Sequence, residues 1–392
     1  MTPRTGAGGA AVLFAALFPA ACLQTVMLPP PPQAGGTGGG SADDGGNPGG
    51  GGAGDRDGGL DHSTICNNPN TSLAIRRPWP SIVVAVDHTN SMISNRLGGN
   101  DSKLEAVASA LKARLNKYGP VVRFGYVEFP GMSRSCSNMT SACCVSAVTQ
   151  PAANTENGII STLDQCNPLS QGCGLGDTAP TAQMLRDVGD AYNELLANTN
   201  PVDQEWRSIL LLTDGEPGCP LGSSSSDPCM QATSEIARLN IQGITTSVVA
   251  VGDVPGDLDT HGANKCLNSM ANVSGVVRST VSPFYFPVMT ESQLGNTLTS
   301  IITEAVCHLE LLDLPADRDR TTIQLGMSNS SGGTTTVTVP RDTSHTNGWD
   351  YEKTADTKVV FYGAACGNFI DTILTGGLQR VRVQGCPVPP AH

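Results

Sequence analysis

The stretch "SIVVAVDHTNSM", residues 81–92, decides the fold. Its first half is a continuous apolar run with no polar residue at alternate positions. A strand with one face in water alternates; a strand buried on both faces does not, and that is the texture of a parallel sheet covered by helices. The run stops at Asp87, after which Thr89 and Ser91 place hydroxyls at every second position. Oxygen donors therefore sit where a buried strand emerges, and open α/β sheets bind ligands at that carboxyl end.

Three more segments have the same apolar texture: "VVRFGYVEF" (121–129), "RSILLLTDG" (207–215) and "ITTSVVAVG" (244–252). Helical patterns lie between them. "DSKLEAVASALKARLNKYGP" (101–120) sets Leu104, Val107, Leu111 and Leu115 on one stripe. It opens with the capping box Ser102/Glu105 and closes on Gly119 and Pro120. "PTAQMLRDVGDAYNELLAN" (180–198) starts with Pro180 and carries Leu185, Val188, Tyr192 and Leu196 on one face, and "ESQLGNTLTSIITEAV" (291–306) adds a later helix. Alternating strands and helices predict an α/β fold, a doubly wound, mostly parallel sheet.

The domain is expected to span 66–307, interrupted at 130–176 by a loop-rich insertion with five cysteines, Cys136, Cys143, Cys144, Cys166 and Cys173. A loop of that length in a compact domain is functional or cross-linked. After Cys307 short runs such as "HLELLDL", "TTTVTV" and "RVRVQG" predict a small C-terminal antiparallel β domain over 308–392, closed by Cys366 and Cys386.

Residues 1–22 have the parts of an export signal: Arg4, the apolar run "AAVLFAALF" and a small-residue exit. The run is shorter than the roughly 20 apolar residues of a membrane-spanning helix. "FPAAC" resembles a lipobox, which implies lipidation of Cys22, although Pro19 stands where Leu is usual; the alternative is an ordinary signal peptide with Cys22 incidental. Residues 23–65 are rich in Pro and Gly with almost nothing apolar to bury, and are expected to form a disordered tether.

Of 13 cysteines, setting Cys22 aside leaves an even number, and none stand in C-x2-C pairs of the kind that bind zinc. In an exported chain they are expected to form disulfides, with Cys219/Cys229, Cys166/Cys173 and Cys366/Cys386 as candidates by proximity. The formal charge of −12 argues against a nucleic-acid partner, which would need a basic surface.

Two predicted strands end in carboxylates, Asp87 and Asp214. If the strands are neighbours, the two converge with the hydroxyls of Thr89 and Ser91 and with a threonine, Thr178 or Thr181, of "GLGDTAPTAQML". An all-oxygen donor set with few carboxylates suits a hard cation, Mg2+ first, with Mn2+ or Ca2+ as alternatives.

These three segments, D-x-T-x-S at Asp87–Ser91, G-x-T-x-x-T at Gly176–Thr181 and "LLLTDGEP" at 210–217, resemble the metal ion-dependent adhesion site of a von Willebrand factor A domain, in the family's order. The resemblance implies that Thr89 and Ser91 coordinate the metal through hydroxyls and that Asp87 and Asp214 hold it directly or through water. It further implies a loop threonine as the state-sensitive ligand, and a coordination position left for an acidic group of a protein or glycan partner. Thr89 stands where Ser is more usual. The family's G-G-T-P-T aligns either Thr178 or Ala179 with the key loop position; Thr178 is favoured and Thr181 is the fallback.

Other readings stay open. Asp87, Thr89 and Ser91 are also the residues of a simple turn cap. A phosphotransferase of the haloacid dehalogenase type also starts from an Asp after a buried strand, but it needs a second carboxylate where Thr89 stands. The "DLDTHG" string at 257–262 imitates a calcium loop, with His261 at a ligand position and Asn268 where the closing Glu belongs. No G-x-S-x-G or H-E-x-x-H motif is present. The expectation is a non-enzymatic, exported protein of the cell envelope or outer membrane surface, lipid-anchored, that binds an acidic partner through Mg2+. The alternative is a structural envelope lipoprotein whose metal only stabilises the fold, and, ranked behind it, a metal-dependent hydrolase.

Overall fold

The computed structural model describes residues 72–76, 79–131, 143–165, 176–197, 206–221, 226–252, 263–313, 315, 318–328, 333–352, 355–375 and 378–385. The export signal, Cys22, the tether, Cys136, Cys166, Cys173, Cys386 and the 257–262 string lie outside them.

Strand β3 (Ser81–Asp87) is buried along its whole length. It lies between β4 (Arg123–Phe129) and β6 (Arg207–Thr213), parallel to both. The six-stranded sheet runs β5-β4-β3-β6-β7-β8, with β7 (Ile244–Val251) and β8 (Phe286–Val288) also parallel, and β5 (Thr149–Ala152) antiparallel on β4. Because successive side chains point to opposite faces, Ile82, Val84 and Val86 enter one core and Val83 and Ala85 the other. That is why the run shows no polar alternation. The first core is roofed by α2 (Lys103–Tyr118) and α7 (Glu291–Val306). The second is roofed by α4 (Thr181–Ala197), α5 (Pro228–Ile241) and α6 (Ala263–Asn272). A short helix, α1 (Asn90–Ser94), follows β3 directly.

The expected capping box is present, with the Ser102 side chain accepting from Glu105 N and Glu105 accepting from Ser102 N. Tyr192 of α4 reaches under the sheet, where its hydroxyl accepts from Val83 N at 3.2 Å and lies within donating range of Ser81 O and Ser208 O, at 2.8 and 2.9 Å. One helix side chain thus clamps β3 against β6.

The chain winds outward from β3 to β4 and then returns to β6 on the other side, so strand order reverses between β3 and β6. A doubly wound sheet opens a crevice at such a switch point, and the carboxylates that end these two strands border it.

Three expectations need correction. The 130–176 insertion is not all loop: it contains β5 and α3 (Glu156–Gln165), whose Ile159 and Leu163 are buried in the first core. The C-terminal module is not built from 308–392 alone. It comprises two four-stranded antiparallel sheets, β1-β14-β10-β11 and β12-β13-β9-β2. Strands β1 (Ser72–Leu73) and β2 (Ile75–Arg76) come from ahead of the α/β domain, and pair with β14 (Leu378–Gln384) and β9 (His308–Leu311). The others are β10 (Thr322–Ser328), β11 (Thr334–Val339), β12 (Gly348–Glu352) and β13 (Ala355–Tyr362), joined by one helix, α8 (Gly363–Leu374). Its core, with Ile323, Trp349, Val359 and Phe361, is continuous with the first core of the sheet.

The disulfides also differ from the pairs expected by proximity in sequence. Those observed are Cys143–Cys219, Cys229–Cys266 and Cys307–Cys366, and Cys144 is disulfide-bonded as well. Cys219 and Cys229 do not pair with each other: α5 packs on α6, which brings Cys229 in the first turn of α5 to Cys266. Cys366 does not close on Cys386: it lies in the first turn of α8, against Cys307 at the end of α7. For these two bridges packing between helices, not spacing in sequence, selects the partners.

Candidate metal centre

Asp87 is 1% exposed. One of its oxygens accepts from Thr89 N at 2.8 Å and the other from the Thr213 hydroxyl at 2.6 Å. The Thr89 and Ser91 hydroxyls lie 3.0 Å apart, and Ser91 donates to Asp214 Oδ1 at 2.8 Å. The Asp214 side chain is 2% exposed, and its second oxygen accepts from Lys103 Nζ at 3.3 Å. The structure therefore brings together Asp87, Thr89, Ser91 and Asp214, and adds Thr213 and Lys103.

The loop segment at Gly176–Thr181 bridges the two carboxylate-bearing turns through its backbone. Asn90 N donates to Gly176 O at 3.1 Å, and Gly218 N donates to Ala179 O at 2.9 Å. The side chains of Asn90 and Asp177 are also hydrogen-bonded. Of the two threonines expected from this loop, Thr178 faces the β6 side, with its hydroxyl 3.3 Å from the disulfide sulfur Cys219 Sγ. A Cβ on Gly218 would meet Thr178 at 2.9 Å, so glycine is what allows that approach. Thr181, the first residue of α4, is buried, and its hydroxyl has no hydrogen-bond partner.

Burial, and then the neighbouring charge of Asp214, push the Asp87 carboxyl up to about 7, against the pull of hydrogen bonds from Thr213 and Thr89. Two carboxylates held out of water this close favour any cation that can share them. His88 is buried against β4, with Nε2 3.5 Å from the Tyr126 hydroxyl, and burial holds its imidazole below its ordinary range.

The donor set fits a small hard cation. An octahedral shell with metal–oxygen bonds of about 2.0–2.1 Å places neighbouring ligands about 2.9 Å apart. The Thr89–Ser91 and Ser91–Asp214 oxygen separations of 3.0 and 2.8 Å serve that spacing as well as they serve hydrogen bonds. Among the described residues no group of three or more His, Cys, Asp or Glu side chains is arranged for a metal. The cluster instead pairs two carboxylates with neighbouring hydroxyls.

Sequence reasoning missed Thr213 and Lys103. Thr213 was visible as the hydroxyl immediately before Asp214. Lys103 carried a subtler signal: a cation in the first turn opposes the helix dipole, so a lysine there needs a carboxylate to answer it.

No family model matches the chain, and no curated protein matches it. Solved structures similar to it include proximal thread matrix protein 1 of the mussel byssus, at 15% identity and TM-score 0.38, over 62% of this chain and 52% of that one. The pilus adhesin SpaC of Lactobacillus rhamnosus GG is similar at 17% identity and TM-score 0.45, over 75% and 39% of the two chains. The manganese-loaded TRAP protein of Plasmodium vivax is similar at 11% identity and TM-score 0.38, over 73% and 94%. The chain thus spans about half of the mussel protein and two-fifths of the adhesin. At these values the likenesses assign no activity.

Proposed function

We propose that this chain is an exported binding protein of the von Willebrand factor A type, whose centre holds Mg2+ and presents it to an acidic group on a protein or glycan partner. The observation that carries the reading is the oxygen cluster Asp87–Thr89–Ser91–Asp214 at the switch point of the sheet. Thr89, Ser91 and the two carboxylates would hold the ion, with Thr178 or Thr181 as the loop ligand; Mn2+ or Ca2+ fit the same donors less selectively. When bound, the ion supplies an electrophilic coordination position for a carboxylate. Asp87, Thr89, Ser91 and Asp214 would orient the ion for that contact, which is binding chemistry and not catalysis. The disulfides support maturation in an oxidising compartment, in keeping with a chain carried on the cell surface by a lipid at Cys22.

Arrays of acidic and neutral glycans and of matrix-type proteins, probed with the purified chain, test this reading. Binding of acidic members in Mg2+ that is lost in EDTA and lost in Asp87→Ala is the expected result. Binding that is the same under all three conditions contradicts it. Metal-dependent stability with no metal-dependent binding would support the structural alternative instead.

A further inference from the structure

We propose that Lys103 is a tethered cation that holds Asp214 in the metal-free protein and lowers the centre's affinity for a divalent ion. The proposal rests on the Mg2+ reading of the site. Lys103 Nζ lies 3.3 Å from Asp214 Oδ2, and the lysine side chain is only 8% exposed. Lysines are almost never buried to this extent unless paired, and this one also stands at the first residue of α2, where the helix dipole repels a cation. Two unfavourable terms are accepted to place one ammonium on one carboxylate. It offsets the charge of Asp214, and an incoming metal meets both its repulsion and its claim on that carboxylate.

The same charge has a second consequence. Two carboxylates with a divalent ion alone are neutral; with Lys103 the loaded centre carries one net positive charge, which favours an acidic ligand over a neutral one. Lys103 therefore exchanges metal affinity for selectivity toward acidic ligands.

Mn2+ titrations of the full chain followed by electron paramagnetic resonance test this, with wild type, Lys103→Gln, Lys103→Met, Lys103→Arg and Asp87→Ala. The Met variant keeps the aliphatic stem in place should Gln disturb packing. Lys103→Gln and Lys103→Met should bind Mn2+ roughly tenfold tighter than wild type, the size of one partly screened charge contact. They should also melt lower than wild type without metal, while Lys103→Arg should bind like wild type. A merely structural lysine would give the opposite sign, weaker binding on removal. Unchanged or weaker binding in both neutral variants, beside normal wild-type binding, overturns the role of Lys103 alone. No Mn2+ binding by wild type overturns the metal reading and this proposal with it.

Discussion

Asp87, Thr89, Ser91 and Asp214 converge because each stands at or just after the end of a continuous apolar run, and a doubly wound sheet gives those ends one destination. That placement made the clustering of the four legible in the sequence; Lys103 was missed, because a lysine at a helix start reads as solvent-facing while its ammonium reaches Asp214 on another element. The Tyr192 clamp was equally hidden: in sequence it is one more residue on an apolar face, and only the structure aims its hydroxyl at the backbone of β3 and β6. Tyr192→Phe leaves Val83 N buried without that acceptor. It should cost about 1–3 kcal/mol, read as a lower urea midpoint with an unchanged slope. No loss would show that these backbone groups find other partners.

At the level of elements, long amphipathic helices were readable, and α7 has the bounds its pattern predicts. Its start is fixed by Thr290, whose side chain accepts from Gln293 N. Shorter elements were not: β12 is five residues, "GWDYE", and α8 opens with small residues and a buried cysteine that give no helical signal of their own. They form because tertiary contacts override weak propensity. The capping box of α2 should be worth about 1 kcal/mol, so Ser102→Ala should lower the melting temperature measurably by circular dichroism. A second test belongs to β9. His308 stacks on Trp206 at 4.5 Å and donates Nδ1–H to Glu304 O at 2.6 Å. Burial depresses its pKa below the ordinary 6.5. The unfolded chain then binds a proton that the folded chain refuses, so stability falls as pH drops below about 6.5. Wild type minus His308→Gln should show this loss between about pH 7 and 5 in melting temperature. His88, also depressed by burial, is common to both proteins and cancels in the difference. A difference that stays flat over this range would contradict a depressed His308.

The whole molecule departs most from its sequence in how distant segments join. The strands at Ser72–Arg76 complete the C-terminal sheets, so the β module is closed by residues from both sides of the α/β domain. Nothing in a run of two residues signals this; the partner strands alone decide it. A chain beginning at residue 79 should therefore leave β14 and β9 with open edges, which invite self-association. Light scattering after gel filtration should show larger species than for the full chain; a clean monomer would mean these pairings are dispensable. The Cys307–Cys366 bridge joins α7 to α8 across a separation of 59 residues. Replacing both cysteines with serine should cost about 2–4 kcal/mol, measured by chemical denaturation.

The central claim is that Asp87, Thr89, Ser91 and Asp214 share one cation. Anomalous scattering from a crystal grown in Mn2+ tests it most directly. The prediction is a single strong peak about 2.0–2.3 Å from the Ser91 and Thr89 hydroxyls, absent in an Asp87→Ala crystal grown the same way. Full Mn2+ in the medium with no peak at this position, or a peak that survives Asp87→Ala unchanged, would contradict it.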